Sequence, residues 1–327
     1  MKNYFLYLVF ICVFSQCSSS DSDSENVTII PLAPTNLTGE VISGSQINLV
    51  WSDNSTNEIG FKVERKTITG TFVEIGNTTT NITTFNDTGL TQNTSYTYRI
   101  YSYNSSGNSP NYSNEITLVT LNTTALDLDG NIYPLVTICG KTWSRTNLNV
   151  SRYKNGEIIP QVTSYNEWLN STNGAWCYFE NNSTNGLIYG KIYNWYAIND
   201  PRGLAPEGYH IPSETEWNEL INCLDVNANG GSTTPNIAGG KMKSTGTSLW
   251  TSPNTGATNE SGFTGLPGGY RSNGGQFFDV GGRGYWWSST QFNQQQAWTR
   301  HVNNVTAQVN KFLNYKNSGF YVRFVKN

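Results

Sequence analysis

The segment GLAPEGYHIPSETEWNEL, residues 203–220, concentrates side chains that could perform chemistry. It contains His210, one of only two histidines in the chain, with Glu214 and Glu216 close by. A histidine beside carboxylates can act as a general base or contribute to a metal site. However, the segment lacks the HExxH spacing of a zinc protease, and the other histidine, His301, is far away in the sequence.

A structural role accounts for the same residues. Ser213 followed three positions later by Glu216 is the pattern of a capping box at a helix start. The apolar residues that follow repeat at i, i+3, i+4 and i+7, which predicts a helix with one face on a core: Trp217, Leu220, Ile221 and Leu224. His210 precedes this helix in an extended segment, where we expect a neutral imidazole paired with a backbone group. The segment therefore predicts architecture.

The cysteines permit one disulfide outside the N-terminal region. Cys12 and Cys17 belong to the N-terminal segment, which leaves Cys139, Cys177 and Cys223. In an oxidising compartment two of these can pair, and one thiol must remain. The spacing does not assign the pair, and Cys139 with Cys177 is the preferred choice. The three share no CxxC spacing, so a structural zinc site is not expected.

A second group of candidate side chains is aromatic. The run YWW at residues 285–287 is typical of a strand, in which successive side chains point to opposite faces. One tryptophan is then expected in the core and the other at a surface, interface or groove. Rings stack on the apolar faces of sugars, and arginine donates paired hydrogen bonds. An aromatic platform for a sugar or a peptide could therefore be formed by Tyr270, Arg271, Trp286, Trp287 and Trp298.

The favoured interpretation is nevertheless that these rings only fill a core. The chain has two methionines, so large aromatic side chains would have to take the place of flexible aliphatic ones. The glycine clusters GLPGGYR and VGGRG lie near the same rings, but they lack the strand-to-helix setting of a phosphate loop.

Bulk composition narrows the protein class. The 327-residue length predicts more than one domain. Charged residues form 13% of the chain, about half the usual share, while an aromatic content of 13% argues against disorder. The net charge of −3 is not accompanied by a basic stripe, so nucleic acid is not an expected partner. This composition is typical of β-rich domains with neutral polar surfaces.

The N-terminus predicts export. Lys2 precedes the apolar run YFLYLVFICVF, which is too short to span a membrane as a mature helix. The run ends just before Cys17, and SSSDSDSE follows. This arrangement resembles a bacterial lipoprotein signal: residues 1–16 would be removed, Cys17 would carry lipid, and residues 17–30 would form a flexible tether. An ordinary secretory signal is the alternative. Membrane contact is expected through the N-terminal lipid only.

Residues 31–121 predict a first domain. The segments INLVW, FKVER and YTYRIY alternate apolar and polar residues between turn signals, which indicates an antiparallel sandwich. The PLAPTNL opening, Trp51 and the segment GLTQNTSYTYRIYSYNSSGNSP resemble a fibronectin type III domain. The resemblance implies a tyrosine corner formed by Leu90 and Tyr96, and a role as a spacer. A ligand-binding loop is the alternative, and no RGD sequence is present.

Residues 122–327 predict a second domain. The pair Asp129-Gly130 is a hairpin signal. DLDGN also suggests a calcium loop, but Tyr133 and Leu135 occupy positions that would need oxygen ligands. Calcium is thus possible but not indicated, and no other cofactor is predicted.

Several motifs in this second domain occur in the order typical of one family. They are YGKIYNWYAIND, GLAPEGYHIPSETEWNELI, SGFTGLPGGYR, YWWSST and SGFYVRFVKN. Over residues 126–327 the chain resembles the Fibrobacter succinogenes major paralogous domain family. The resemblance implies a secreted or surface protein and carries no established activity. Phe324 stands where the family often has a cysteine, which implies that Cys177 lacks its usual partner.

The layout also resembles a C-type lectin-like or formylglycine-generating fold, with a helix after an early hairpin, Trp- and Gly-rich loops and closing strands. The expected fold class is therefore an all-β fibronectin type III sandwich followed by an α+β domain. The sugar-binding tripeptides EPN, QPD and WND are absent, and the catalytic cysteine pair of formylglycine-generating enzymes has no match.

These features predict a lipid-anchored protein of the outer membrane or cell surface. Its second domain would be a non-catalytic binding or adhesion head for an extracellular glycan or protein, carried on the fibronectin-like spacer. A structural surface-assembly component is the alternative. An enzyme acting on extracellular glycans or proteins would need paired carboxylates or an activated nucleophile, and the sequence offers no convincing candidate.

Overall fold

The computed structural model describes residues 29–231 and 235–327. The chain divides into two compact units, the first formed by most of residues 29–118 and the second chiefly by residues 119–327. The predicted signal peptide and Cys17 lie outside the described residues. Within the described ranges, no helix is long and apolar enough to cross a membrane.

Among the described residues, the first unit consists of eight strands in two sheets. One sheet contains the first, second and fifth strands. The other contains the fourth, third, sixth and seventh strands, with the eighth paired to the sixth. This is the β-sandwich that the alternating segments predict. The strands are β1 (Thr35–Val41), β2 (Gln46–Ser52), β3 (Gly60–Thr67), β4 (Val73–Asn77), β5 (Thr84–Thr88), β6 (Ser95–Asn104), β7 (Gly107–Asn108) and β8 (Ile116–Val119).

Alternation along the strands builds the core of this sandwich. In β2, Leu49 and Trp51 are buried, whereas Val50 between them is exposed. Trp51 packs edge-on against Phe61 of β3, with ring centroids 5.5 Å apart. Tyr96 is also buried. Trp51 and Tyr96 are therefore core residues of the sandwich.

The second unit is also rich in strands but carries short helices. Its described strands are β9 (Thr124–Leu126), β10 (Ile132–Ile138), β11 (Lys141–Ser144), β12 (Trp176–Cys177), β13 (Ile192–Asn194), β14 (Tyr209–His210), β15 (Gly268–Arg271), β16 (Phe277–Val280), β17 (Arg283–Gln291), β18 (Gln296–Asn303), β19 (Val309–Tyr315), β20 (Gly319–Phe320) and β21 (Val325–Lys326). Its described α-helices are α1 (Tyr165–Leu169), α2 (Ser183–Tyr189), α3 (Trp195–Ile198), α4 (Glu214–Leu224) and α5 (Ala238–Met242). Short 3-10 turns occur at Phe179–Asn181 and Asn229–Gly231.

Two sheets organise the second unit. The smaller has the strand order β14-β21-β11-β10-β9, and the larger has the order β12-β13-β20-β15-β17-β18-β19, with β16 paired to β15. Strand β21, near the end of the unit, pairs with β11 near its beginning, with Trp143 opposite Val325. The first and last parts of the unit therefore lie side by side.

Helix α4 begins as its sequence predicts. The Ser213 hydroxyl accepts a hydrogen bond from the backbone N–H of Glu216, and the Glu216 carboxylate accepts one from the backbone N–H of Ser213. Trp217, Leu220 and Ile221 are buried on one side of the helix. The capping box and the apolar face are thus both present, and Glu216 has a structural function.

The disulfide differs from the preferred prediction. Strands β10 and β11 are joined by Cys139 and Gly140, which both have positive φ angles (52° and 80°), as in a tight hairpin turn. Cys139 at this turn is bonded to Cys223 in the last turn of α4. The pair Cys139–Cys177 is therefore wrong, since Cys177 is a free, buried thiol in β12. Only the tertiary fold, which brings α4 against the hairpin turn, decides the pairing.

Three buried cations hold the loops of the second unit through uncharged oxygens. Arg323 donates to backbone carbonyls of Ser144, Phe263 and Thr264 and to the side-chain oxygen of Asn147. The ammonium group of Lys243 donates to the carbonyls of Thr255, Asn303 and Thr306 at 2.8–2.9 Å. Arg271 donates to the carbonyls of Val162, Thr163, Ser164 and Gly275. Each cation ties together chain segments that are distant in sequence.

Candidate functional site

The predicted aromatic platform does not form. Trp286 and Trp287 point to opposite faces of β17, as expected, but both are 0% exposed. The indole N–H of Trp286 donates to Asn147, and that of Trp287 donates to the carbonyl of Tyr193. The two rings belong to different hydrophobic clusters, one on each face of the large sheet. Because both rings are covered, neither tryptophan is available to a ligand.

Arg271 and Trp298 are also separated from a common surface. Arg271 is 1% exposed, and its guanidinium lies over the ring of Trp168 while binding backbone carbonyls. The prediction that it contacts a ligand is therefore wrong. Trp298 is half-buried, with the ammonium group of Lys311 4.0 Å from its ring centre. Among the predicted platform residues, only Tyr270 joins the surface described next.

His210 has a different partner from the one expected. Its Nε2 atom lies 2.9 Å from one carboxylate oxygen of Glu216 and 3.0 Å from the other, and its Nδ1 atom lies 2.8 Å from Oδ1 of Asn327. The predicted backbone partner is thus replaced by two side chains. The Glu216 carboxylate also accepts hydrogen bonds from the backbone N–H and the hydroxyl of Ser213. His210 therefore belongs to the hydrogen-bond network at the start of α4.

A row of five rings crosses the large sheet. One ring comes from each of the neighbouring strands β16, β15, β17, β18 and β19. Consecutive ring centroids are 5.6, 4.9, 5.2 and 4.7 Å apart. Directly paired strand positions share a face, and Tyr270 lies opposite Phe278 while Tyr285 lies opposite His301. We call this set the aromatic row: Phe278, Tyr270, Tyr285, His301 and Phe312.

The two ends of the aromatic row are accessible. Phe278 is 46% exposed and Phe312 is 49% exposed, whereas Tyr285 and His301 between them are buried. Adjacent strands are about 4.8 Å apart, so four strand steps place the end rings about 19 Å from each other. Tyr270 is half-buried and stacks on Phe320 beneath the row. The accessible parts of the row are therefore its two end rings, which the inner rings and the core hold in place.

Polar groups flank the middle of the row. The Tyr285 hydroxyl donates to the Asp279 carboxylate at 2.8 Å, and Arg283 donates to the same carboxylate at 3.2 Å. Burial, together with the hydrogen bond to Asp279, raises the pKa of Tyr285, which therefore stays protonated. The Nδ1 atom of His301 is buried and has no hydrogen-bond partner among the described residues. An aromatic strip bordered by a carboxylate, a guanidinium and a hydroxyl can stack on a ligand and bond its hydroxyl groups.

Comparison with known families assigns both units. The Fibrobacter succinogenes major domain matches residues 136–326, more than half of the chain. The chain belongs to this family. The aromatic row lies wholly inside the Fibrobacter succinogenes major domain, and a fibronectin type III domain matches residues 32–119 in front of it. Both resemblances drawn from the sequence motifs are confirmed.

Several solved structures that contain fibronectin type III domains resemble part of this family member. Three fibronectin type III domains of chicken CNTN1 match at 20% identity over 28% of this chain and 33% of that one, with a TM-score of 0.27. A myokine structure matches at 20% identity over 28% of this chain and 99% of its own, with a TM-score of 0.26. The fifth fibronectin domain of Drosophila Lar matches at 17% identity over 28% of this chain and 98% of its own, with a TM-score of 0.25.

The chain spans a third or less of the first structures that it matches. Comparison with curated proteins gave no match. The comparisons therefore give the family of the second unit and the domain type of the first.

The Fibrobacter succinogenes major domain holds its remaining thiol in an unreactive state. Burial raises the pKa of Cys177 to about 12, so the thiolate that would act as a nucleophile is not formed at neutral pH. The described residues contain no group of three or more His, Cys, Asp or Glu side chains that could hold a metal ion.

Four members of the aromatic row were not predicted as ligand contacts from the sequence. Strand alternation places Tyr285 on the same face as Trp287, and this signal was available. The positions of Phe278, His301 and Phe312 depend on the order of five strands, three of which are not adjacent to β15 along the chain. Sheet order is a tertiary property, which local patterns do not contain.

His301 makes the domain sensitive to acid. Burial, helped by the positive charge of Arg283, lowers the pKa of His301 from 6.5 to about 4. Between these values the unfolded chain binds a proton that the folded chain does not, so stability falls as the pH drops from 6.5 to 4. Over this pH interval we expect the free energy of unfolding to fall by about 3 kcal/mol more in wild type than in His301→Phe. Urea unfolding followed by tryptophan fluorescence measures the difference.

His210→Gln is the matched control, because the side chain of His210 is 42% exposed and lies away from the row. It should keep the acid sensitivity of wild type. An identical pH dependence in His301→Phe and wild type would contradict the assignment to His301.

Proposed function

We propose that the protein is a non-catalytic recognition protein of the cell surface and that its aromatic row binds extended glycan chains. The observation that carries this proposal is the row itself, in which five adjacent strands supply rings in van der Waals reach of one another. A glycan presents apolar ring faces along its length and hydroxyl groups at its edges. The end rings of the row can stack on the apolar sugar faces. Asp279 and Arg283 can form hydrogen bonds with the sugar hydroxyl groups.

The preorganised rings favour this function. Phe278 and Phe312 are held by Tyr270 and His301 respectively, so little side-chain freedom is lost on binding. A long, flat ligand also fits an open sheet surface better than it fits a deep pocket. A protein chain is the second class of ligand to be tested on the aromatic row.

The domain order supports a surface role. A fibronectin type III domain in front of the head would act as a spacer, and a lipid on Cys17 would anchor the chain at the outer membrane or cell surface. We also propose that the head has a C-type lectin-like arrangement. In support, its closing strand β21 pairs with β11 near its start, and a long region with few strands separates α5 from β15.

Alanine substitutions at the two ends of the row test the proposal. In a chain lacking the predicted signal and lipid site, Phe278→Ala and Phe312→Ala should each weaken binding to the best glycan about fivefold to tenfold. Each removes a stacking contact worth about 1 kcal/mol. Binding is first found with arrays of glycans and insoluble polysaccharides, then measured by depletion or calorimetry.

Phe292→Ala is the matched control. Phe292 is 54% exposed and contacts Trp298, so it is an accessible phenylalanine outside the row. Its substitution should leave glycan binding unchanged. Equal losses in all three variants, or glycan binding that survives loss of both row phenylalanines, would refute the role of the row. Self-association without any glycan binding would favour an assembly component.

A further inference from the structure

A second cleft in the Fibrobacter succinogenes major domain lies apart from the aromatic row. It has a volume of about 360 Å³ and is formed by the loop at residues 172–174, by the segment from Tyr196 to Arg202, and by Ile158 and Pro160. A cleft of this size lies at the lower end of the range for small-molecule sites. We call it the Tyr196 cleft.

The floor of the Tyr196 cleft requires a glycine. A Cβ atom at Gly174 would lie 2.0 Å from the Tyr153 hydroxyl oxygen and 3.0 Å from the Cα atom of Ala197. The chain therefore passes closely over two buried residues at this point. Any side chain here would force the floor outward and reduce the cleft.

Uncommitted polar groups surround this floor. Asn173 and Asn199 are exposed, and in the described parts of the chain neither carboxamide has a hydrogen-bond partner. Tyr196 contributes a half-buried ring from α3. A carboxamide can donate to one hydroxyl group and accept from the next, and an aromatic ring can cover an apolar sugar face. This set of groups suits a ligand with neighbouring hydroxyls.

The charge beside the cleft is already paired. Nε and one terminal nitrogen of Arg202 donate to the two oxygens of Asp200 at 2.8 and 2.7 Å, and the other terminal nitrogen donates to Glu157. The guanidinium also lies over the Tyr153 ring, 4.0 Å from its centre. The hydrogen bonds from Arg202 lower the pKa of Asp200, which is therefore ionised at neutral pH. Two carboxylates around one guanidinium leave a net negative charge.

From this geometry we propose that the Tyr196 cleft binds a single uncharged sugar residue, such as the end of a glycan chain. Tyr196 stacks on the sugar, and Asn173, Asn199 and Asp200 bond its hydroxyls. The excess negative charge excludes anionic sugars, because an acid group would meet Asp200 without a free cation. This site is independent of the aromatic row and uses none of its residues.

Ligand-observed NMR for affinity and protein-observed NMR for the binding site, each with glucose, galactose and glucuronate, test the proposal. The chain lacking only the predicted signal and lipid site should bind at least one neutral sugar with a Kd of about millimolar, as expected for so small a ligand. Glucuronate should bind at least about tenfold more weakly. The side-chain amide signals of Asn173 and Asn199 should shift when the neutral sugar is added.

Tyr196→Ala should weaken sugar binding at least about tenfold. Asn173→Leu, which blocks the cleft from its exposed rim, should abolish the shift of the Asn199 side-chain amide. Tyr315→Ala is the control, since Tyr315 is an exposed tyrosine of β19 outside both sites and should leave binding unchanged. Phe278→Ala and Phe312→Ala should also bind the monosaccharide normally. No binding of either neutral sugar, glucuronate binding as tight as theirs, or shifts elsewhere without change at Asn173 and Asn199 would overturn the proposal.

Discussion

Arg323→Ala is expected to lower the free energy of unfolding of the second unit by about 4 kcal/mol. Arg323 is 0% exposed and donates to three backbone carbonyls and to Asn147. Burial lowers its pKa to about 9, so the group is still charged at neutral pH. Truncation would take a donor from three buried carbonyls and would leave a cavity in the middle of the unit, while Asn147 would keep the hydrogen bond from Trp286. Each consequence is destabilising, and they act at the same place.

Urea unfolding followed by tryptophan fluorescence measures this effect. Nine of the ten tryptophans lie beyond residue 121, so the signal reports the second unit. Arg152→Ala is the control, because Arg152 is an exposed arginine whose ion pair with Asp129 is worth little. Arg152→Ala should lower the free energy of unfolding by less than about 1 kcal/mol. Similar losses for Arg323→Ala and Arg152→Ala would show that Arg323 is not a structural centre.

Removing the disulfide should cost a comparable amount. Cys139 and Cys223 are 84 residues apart. Closing a loop of this length restricts the conformations of the unfolded chain, which stabilises the folded state by about 4 kcal/mol. The bond also fixes the end of α4 to the β10–β11 turn. Cys139→Ala and Cys223→Ala should therefore give equal losses in chemical unfolding, and a reducing agent should destabilise wild type but neither variant.

Thiol counting provides the control for this pairing. A chain beginning after Cys17 should expose one reactive thiol when unfolded without reductant, and Cys177→Ala should remove it. Cys223→Ala should raise the count to two. Two reactive thiols in unfolded wild type would mean that the Cys139–Cys223 bond does not form.

Much of the fold could be predicted from the sequence because the signals are local. The capping box at Ser213 and Glu216 involves residues three positions apart, and the alternation in β2 and β6 places whole strands in the sandwich core. The family motifs identify the second unit in the same way. Such patterns depend on the chain near each residue, and the structure agrees with them.

The candidate sites depend on which distant segments meet. Arg271 and Trp287 have side chains typical of ligand contacts, but neighbouring segments cover both of them, so they are part of the core. Cys223 could be paired correctly only by knowing that α4 ends beside Cys139. His301 and Phe312 come together because β18 pairs with β19, and Asn173 meets Asn199 across a cleft. None of these contacts has a local signature.

The buried cations have a consequence for how the head can diversify. Lys243, Arg271 and Arg323 bind their loops almost entirely through main-chain carbonyl oxygens, a group that every amino acid carries. Loop residues such as Thr255, Thr163 and Thr264 can therefore be exchanged without removing the acceptor that anchors them. Natural relatives, or a designed library, could vary these loops widely while three internal cations keep the same frame.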